Sequence, residues 1–314
     1  MEQKRNYQRE MEQILESLGG GTAPCGAQSA ANESHKCGEP APNTSAAELR
    51  GESSPRTSAP GLCDARAPET SAPHKPTLLL HACCGPCSSY CLETLVPYFD
   101  ITIYYYNPNI SPQQEYARRL SELEKFLTRF PDAVSGGVKL VEATYDPEDF
   151  FTATNVRNEP ELAAEPERGE RCRRCYELRM GKAYEYACAN GFDWFTTTLS
   201  ISPHKDAEKI NTIGFALEAG ARGIDAKNAV TLEAKAQEAG ARESSTREIG
   251  AHGAAQPQVT ASMQKSQPRK KITRFLPSDF KKKNGFLRST QITEEYGMWR
   301  QDYCGCIYSA RQQA

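Results

Sequence analysis

The sequence predicts an α/β fold built on an open, mostly parallel sheet with flanking helices. Three observations predict it. Short apolar runs of strand length alternate with longer stretches of helical periodicity. A cysteine-rich turn stands directly between the first such strand and the helix that follows it. Two biased stretches divide the chain, leaving an ordered core of roughly 200 residues in three pieces, the size of one domain.

Residues 6–18 place Tyr7, Met11, Ile14, Leu15 and Leu18 at helical spacing, an amphipathic helix expected to pack on the core. Gly19, Gly20 and Gly21 stop it. Residues 19–75 are rich in Ala, Ser, Pro, Gly and Glu without periodicity and are expected to form a disordered insert. Its thiols, Cys25, Cys37 and Cys63, are widely spaced bystanders.

The catalytic core is expected over 76–218. Strands are predicted at Thr77–Ala82, Asp100–Tyr106, Val138–Ala143 and Trp194–Leu199. Helices are predicted at Ser88–Tyr98, Gln113–Phe130, Arg174–Asn190 and His204–Leu217. Residues 219–270 form a second biased stretch with EAGAR repeated at 218–222 and 238–242. The core resumes over 271–314.

The chain has 314 residues, 38% of them hydrophobic, and a formal net charge of −2. Its mean hydropathy is −0.65. No apolar run approaches the roughly 18 residues a membrane helix needs, and the charged N-terminus lacks the apolar core of a signal peptide. The expectation is a cytoplasmic protein. In a reducing compartment its twelve cysteines are read as metal ligands or redox thiols before structural disulfides.

Two tight groups stand out: Cys83-Cys84-Gly85-Pro86-Cys87 and Cys172-Arg173-Arg174-Cys175. The first falls at the end of a strand and the start of a helix, where an open parallel sheet opens its ligand crevice. Thiolates there meet backbone N–H groups at a helix N-terminus. The second opens another helix among Arg168, Arg171, Arg173 and Arg174, cations expected to favour thiolates. Four soft ligands suit Zn²⁺ or an iron–sulfur cluster. Adjacent Cys83 and Cys84 fit the larger cluster more easily than tetrahedral zinc. Cys87 either completes a second, mononuclear metal site, acts as a thiol near substrate, or is passive. Cys91 and Cys188 read as core thiols.

Cys304-Gly305-Cys306 can close only a small, strained disulfide. Such disulfides are labile, which suggests a redox relay; two buried free thiols are the bland alternative. Residues 265–288 hold nine Lys and Arg against one acid, Asp279, with Phe275, Phe280 and Phe286 interleaved. That is the footprint of RNA binding or a solvated face. Ser202-Pro203-His204-Lys205-Asp206 follows the fourth strand, either a helix cap or a substrate and proton-transfer segment.

These segments resemble the QueH epoxyqueuosine reductases. The resemblance is carried by LLLHACCGPC (78–87), YYYNPNISPQQEYARR (104–119), RCRRCYELRM (171–180), TTTLSISPHKDAEKIN (196–211), FLPSDFKKKNGF (275–286) and YGMWRQDYCGCIYS (296–309). It implies reduction of epoxyqueuosine to queuosine at the wobble position of tRNAs for Asp, Asn, His and Tyr. It implies a [4Fe–4S] cluster on Cys83, Cys84, Cys172 and Cys175, and a redox-active Cys304–Cys306 disulfide. A further iron on Cys87, a proton from Asp206, Asp302 or Tyr303, and an unidentified electron donor complete the expectation. The implied fold is adenine-nucleotide-hydrolase-like, close to the PP-loop enzymes, with the cysteine turn in place of a phosphate loop and no use of ATP. Two other readings compete: a thioredoxin-like thiol oxidoreductase, because Cys84-Gly85-Pro86-Cys87 is a CGPC motif, and a zinc-stabilised RNA-binding module.

Overall fold

The chain is described by a computed structural model at residues 5–19, 74–223 and 272–311. The two expected inserts, apart from their ends, lie outside these residues, as do Cys25, Cys37 and Cys63.

Five strands form one sheet: β1 (Thr77–His81), β2 (Asp100–Tyr105), β3 (Lys139–Glu142), β4 (Trp194–Thr197) and β5 (Arg274–Phe275). Their order is β3-β2-β1-β4-β5, and every pair is parallel. The predicted class is therefore correct. β5 was missed, since two residues are too short to show a period.

Strand alternation sorts the core into two layers. Leu78 and Leu80 point to one side, with Ile101, Ile103 and Tyr105 of β2. Helices α2 (Gly85–Leu95) and α3 (Gln113–Leu127) cover that side through Leu92, Leu95, Leu123 and Phe126. Leu79, Tyr104 and Phe195 point the other way. There, after the short helices α4 (Pro131–Ser135), α5 (Pro147–Thr154) and α6 (Glu161–Ala164), come α7 (Glu170–Ala189) and α8 (Ala207–Ala221). They supply Met180, Ala183, Ile210 and Phe215. A central strand covered on both faces must be apolar throughout, which is why TLLLH has no polar alternation.

The N-terminal helix α1 spans Tyr7–Ser17. Asn6 caps it by accepting from Arg9 N at 3.2 Å, and Met11 and Leu15 are buried in the first layer. The C-terminal part adds α9 (Gly285–Glu295) and α10 (Ile307–Arg311).

Several boundaries differ from the sequence reading, each for a local reason. α2 begins at Gly85 because Pro86 fits the first turn and Cys84 caps it. α7 begins at Glu170, four residues early, so both Cys172 and Cys175 lie on the helix. β4 stops at Thr197, where the Thr197 hydroxyl accepts from Leu199 N and a 3₁₀ turn, Thr198–Ile201, begins. α8 runs to Ala221, past the start of the expected insert.

Strand order reverses between β1 and β4. The carboxyl ends of these neighbours open the crevice where an open α/β sheet binds its ligand. The Cys83 turn follows β1, and the Ser202–Asp206 segment follows β4.

Candidate metal centre

A buried strand, a three-residue turn and a helix with proline in its first turn place the first thiols. Cys84 is the extended N-cap of α2, and its sulfur accepts from Cys87 N at 3.4 Å. Cys83 and Cys84 are 3% and 1% exposed, and their sulfurs lie 3.8 Å apart. Cys83, Cys84 and Cys87 offer sulfurs all within 4.8 Å of one another. Among the described residues no other set of three or more His, Cys, Asp or Glu ligand atoms is this tight.

The trio titrates as a unit. Hydrogen bonds from Cys84 and Cys87 hold the Cys83 thiol well below the ordinary range, aided by the Lys205 and Arg179 charges. Burial and the Cys83 bond push Cys84 up to about 12. The bonds to Cys83 and Cys84, with burial, raise Cys87. A bound cation would favour the deprotonated form of all three sulfurs.

The second group behaves differently from the sequence expectation. Burial raises the Cys172 thiol and pushes Cys175 up to about 12. The Arg171 charge lowers the Cys172 thiol, as expected, but burial outweighs it, and the flanking arginines are also engaged elsewhere. Arg171 turns inward and donates to the Leu162 and Ala163 carbonyls. Arg173 pairs with Glu170 at 2.6 Å, and Arg174 with Glu159 at 2.8 Å. Arg168 donates to the Pro203 carbonyl.

Cys304 and Cys306 join this second group. Cys306 packs with Cys175 and Phe150 in a small buried cluster, and burial pushes its thiol up to about 12. Gly305 has φ +99°, which only glycine adopts freely. Its carbonyl accepts from Ser111 N at 3.0 Å. Arg119, 1% exposed, pairs with Glu115 at 2.7 Å and donates to the Cys304 carbonyl at 3.2 Å. Both cysteines are thiols in this structure.

The four cysteines expected to share a cluster are thus two and two: Cys83 and Cys84 in the β1 turn, Cys172 and Cys175 on α7. A cavity of about 250 Å³ opens beside the first pair, lined by Cys83, Cys87, Lys205, Gln301, Tyr303 and Cys304 among others. Arg300, also in its lining, lies over the Phe286 ring, 4.7 Å from the centroid. Gln301 Nε2 reaches Cys84 Sγ at 2.7 Å. Asp302 lines this cavity too. Asp206 does not; it caps α8, accepting from Glu208 N at 3.0 Å and Lys209 N at 3.3 Å. Cys91 is fully buried and donates to the Cys87 carbonyl at 3.3 Å, a core thiol as expected.

Among the described residues, three of the five cations of the basic run pair with acids. Lys281 pairs with Asp279 at 3.0 Å, Lys283 with Glu12 at 2.6 Å and Arg288 with Glu93 at 2.5 Å. Arg274 stacks on Trp194. Phe275 and Phe280 are core residues, so Phe286 is the one aromatic of the three on the surface. Lys265, Arg269, Lys270 and Lys271 lie outside the described residues. Among the described residues no helix is long and apolar enough to cross a membrane.

Sequence reasoning missed Arg119, Arg179 and Gln301. Each sits in a motif already singled out, but nothing local separates a buried arginine from a surface one.

The donor set fits a sulfur-bound metal group: soft thiols in a buried crevice, with polar atoms around them that lack partners. Gln301 Oε1, beside Cys84, and Arg179 Nε and Nη1, beside Cys175, are buried without a hydrogen bond of good geometry. Fold and site together define a parallel α/β protein with a thiol-rich crevice at its sheet switch point. Comparison with known proteins gives the family. The sequence profile of Epoxyqueuosine reductase QueH matches residues 78–230 and 228–312. The Streptococcus pyogenes Epoxyqueuosine reductase QueH is 36% identical over 239 residues, 76% of this chain and 72% of that protein. The Staphylococcus epidermidis protein of that name is 33% identical over 76% of this chain and 78% of its own length. The Thermotoga maritima protein is 25% identical over 74% and 90%. The chain belongs to the epoxyqueuosine reductase QueH family, and it is an oxidoreductase.

Proposed function

We propose that this protein reduces epoxyqueuosine to queuosine at the wobble position of tRNAs for Asp, Asn, His and Tyr. The observation that carries the reading is the convergence of Cys83, Cys84 and Cys87 within 4.8 Å at the switch-point crevice of a chain in this family. A [4Fe–4S] cluster held by Cys83, Cys84, Cys172 and Cys175, with Cys87 available to a mononuclear iron, supplies single electrons and a Lewis-acidic centre when bound.

The chain's own groups account for the rest. Opening the epoxide to an alkene consumes two electrons and two protons and releases the oxygen as water. Oxidation of the Cys304 and Cys306 thiols to a disulfide releases two electrons and two protons, so the sum balances. An external electron donor then returns the disulfide to thiols. Cys304 lines the cavity, and Arg119 and Ser111 hold the loop that carries it. Asp302 and Tyr303 line the same cavity, which supports assigning them the proton for the departing oxygen. Asp206 serves as a helix cap. The wobble base would enter this cavity, where Phe286 and Arg300, both in its lining, offer a surface for an unstacked base.

Mass analysis of tRNA nucleosides from a strain lacking this gene tests the reading. Epoxyqueuosine should accumulate and queuosine return when the chain is restored. Unchanged queuosine in the deletion would sink it. Purified anaerobically, the chain should be brown with about four or five irons; a colourless protein with one zinc would favour the RNA-binding module instead.

A further inference from the structure

Arg179 carries an inference that rests on the cluster reading above. It stands on α7 four residues after Cys175, on the same helix face. Its side chain is 1% exposed. Nη2 donates to Asn107 Oδ1 at 2.5 Å, and Asn107 Nδ2 donates to the Ala82 carbonyl at 2.9 Å. Ala82 immediately precedes Cys83. One guanidinium therefore joins the helix that bears Cys172 and Cys175 to the turn that bears Cys83 and Cys84.

The guanidinium also interacts with the Cys175 sulfur, yet Nε and Nη1 are buried and make no hydrogen bond of good geometry to the described residues. Leaving a charged donor both buried and unpaired is strongly unfavourable, so such donors are kept where an acceptor arrives. Two other buried cations of the site differ. Arg119 is satisfied by Glu115 and by the Tyr303 and Cys304 carbonyls. Lys205 lines the open cavity. Burial opposes the Arg179 charge, yet the Cys175, Cys83 and Cys304 sulfurs outweigh it and hold the guanidinium above the ordinary arginine value.

We propose that Arg179 is a positioning residue for the metal group: Nε and Nη1 donate to sulfur of the cluster between the two cysteine pairs, and the charge raises its reduction potential. The electrostatic reason is direct. Four thiolates on a [4Fe–4S]²⁺ core leave a net charge of about −2 in a buried crevice, and reduction adds another negative charge. A fixed buried cation stabilises the reduced state more than the oxidised one, and hydrogen bonds to the sulfurs act in the same direction.

The test uses the full chain, reconstituted anaerobically with iron and sulfide, as wild type, Arg179→Met and Arg179→Lys. Iron and acid-labile sulfide are counted, and the midpoint potential is read by spin resonance during a dithionite titration. Arg179→Met is expected to keep its iron and shift the midpoint negative by at least a tenfold change in the equilibrium constant, 59 mV for one electron. Arg179→Lys keeps the charge but not the planar fork, and should shift the same way by less. If Arg179→Met does not fold, the lysine variant decides: a negative shift supports the role, and an unmoved midpoint overturns it. Loaded variants with the wild-type midpoint overturn the proposal alone. A wild-type chain that takes up no iron overturns the cluster reading itself.

Discussion

Arg119 lies directly beneath Gly305: a Cβ built on that glycine would stand 2.8 Å from the Arg119 Nη1 and 3.0 Å from Ile110 Cγ1. The two residues are far apart in sequence, yet they fix how the Cys304 and Cys306 thiols are presented. Gly305→Ala meets both a left-handed backbone and this clash. It is expected to cost roughly 1–3 kcal/mol of stability and to cut turnover at least tenfold. Denaturant unfolding with a nucleoside-based activity assay checks both figures. Activity equal to wild type would show that the loop can be rebuilt without harm.

The cysteines separate by role in a metal count. Alanine at Cys83, Cys84, Cys172 or Cys175 should abolish the brown colour and most of the iron. Cys87→Ala should keep the cluster and lose one iron. Cys188→Ala should leave iron and turnover as they are. An iron count unchanged by Cys87→Ala, with unchanged turnover, removes that residue from the site.

Cys304→Ser and Cys306→Ser should each retain full iron content and lose turnover by at least a hundredfold. The spectrum of the metal group is the control. Thiol counting after mild oxidation should find two more reactive thiols in the reduced wild type than in the oxidised one, and no such difference in either variant.

Asp206 distinguishes a cap from a proton donor. Asparagine caps a helix as well as aspartate does, so Asp206→Asn should stay within about twofold of wild-type turnover. Asp206→Ala should lose about 1 kcal/mol of stability with turnover otherwise intact. A large loss in Asp206→Asn would return this residue to the chemistry.

Alkaline stability follows from two buried tyrosines. Burial raises the Tyr105 and Tyr184 hydroxyls well above the ordinary tyrosine value. Tyr105 donates to the Tyr116 carbonyl at 3.2 Å and Tyr184 to the Thr273 carbonyl at 2.7 Å. The unfolded chain ionises them near pH 10, and the folded chain holds their protons. Their contribution is complete below about pH 10 and is lost as pH rises beyond it. Ultraviolet phenolate titration should show these two ionising only when the fold opens. Smooth ionisation near pH 10 without unfolding would contradict it.

The sequence by itself determined the α/β class, four of the five strands, the thiol turn after β1 and the Cys304-Gly305-Cys306 pair. These are local signals: apolar runs of strand length, helical periodicity, and cysteine spacing. Tertiary structure alone decided what the arginines do. Arg171, Arg173 and Arg174 read as a cationic shell, yet carboxylates and carbonyls take them up. Arg179 meets Asn107 across 72 residues, and Arg119 meets Cys304 across 185. A guanidinium's partner depends on which strands neighbour one another, and strand order is set by the whole sheet. β5 was hidden by its length: two residues show no period, and they become a strand through pairing with β4, where the Phe195 carbonyl accepts from Leu276 N at 2.8 Å.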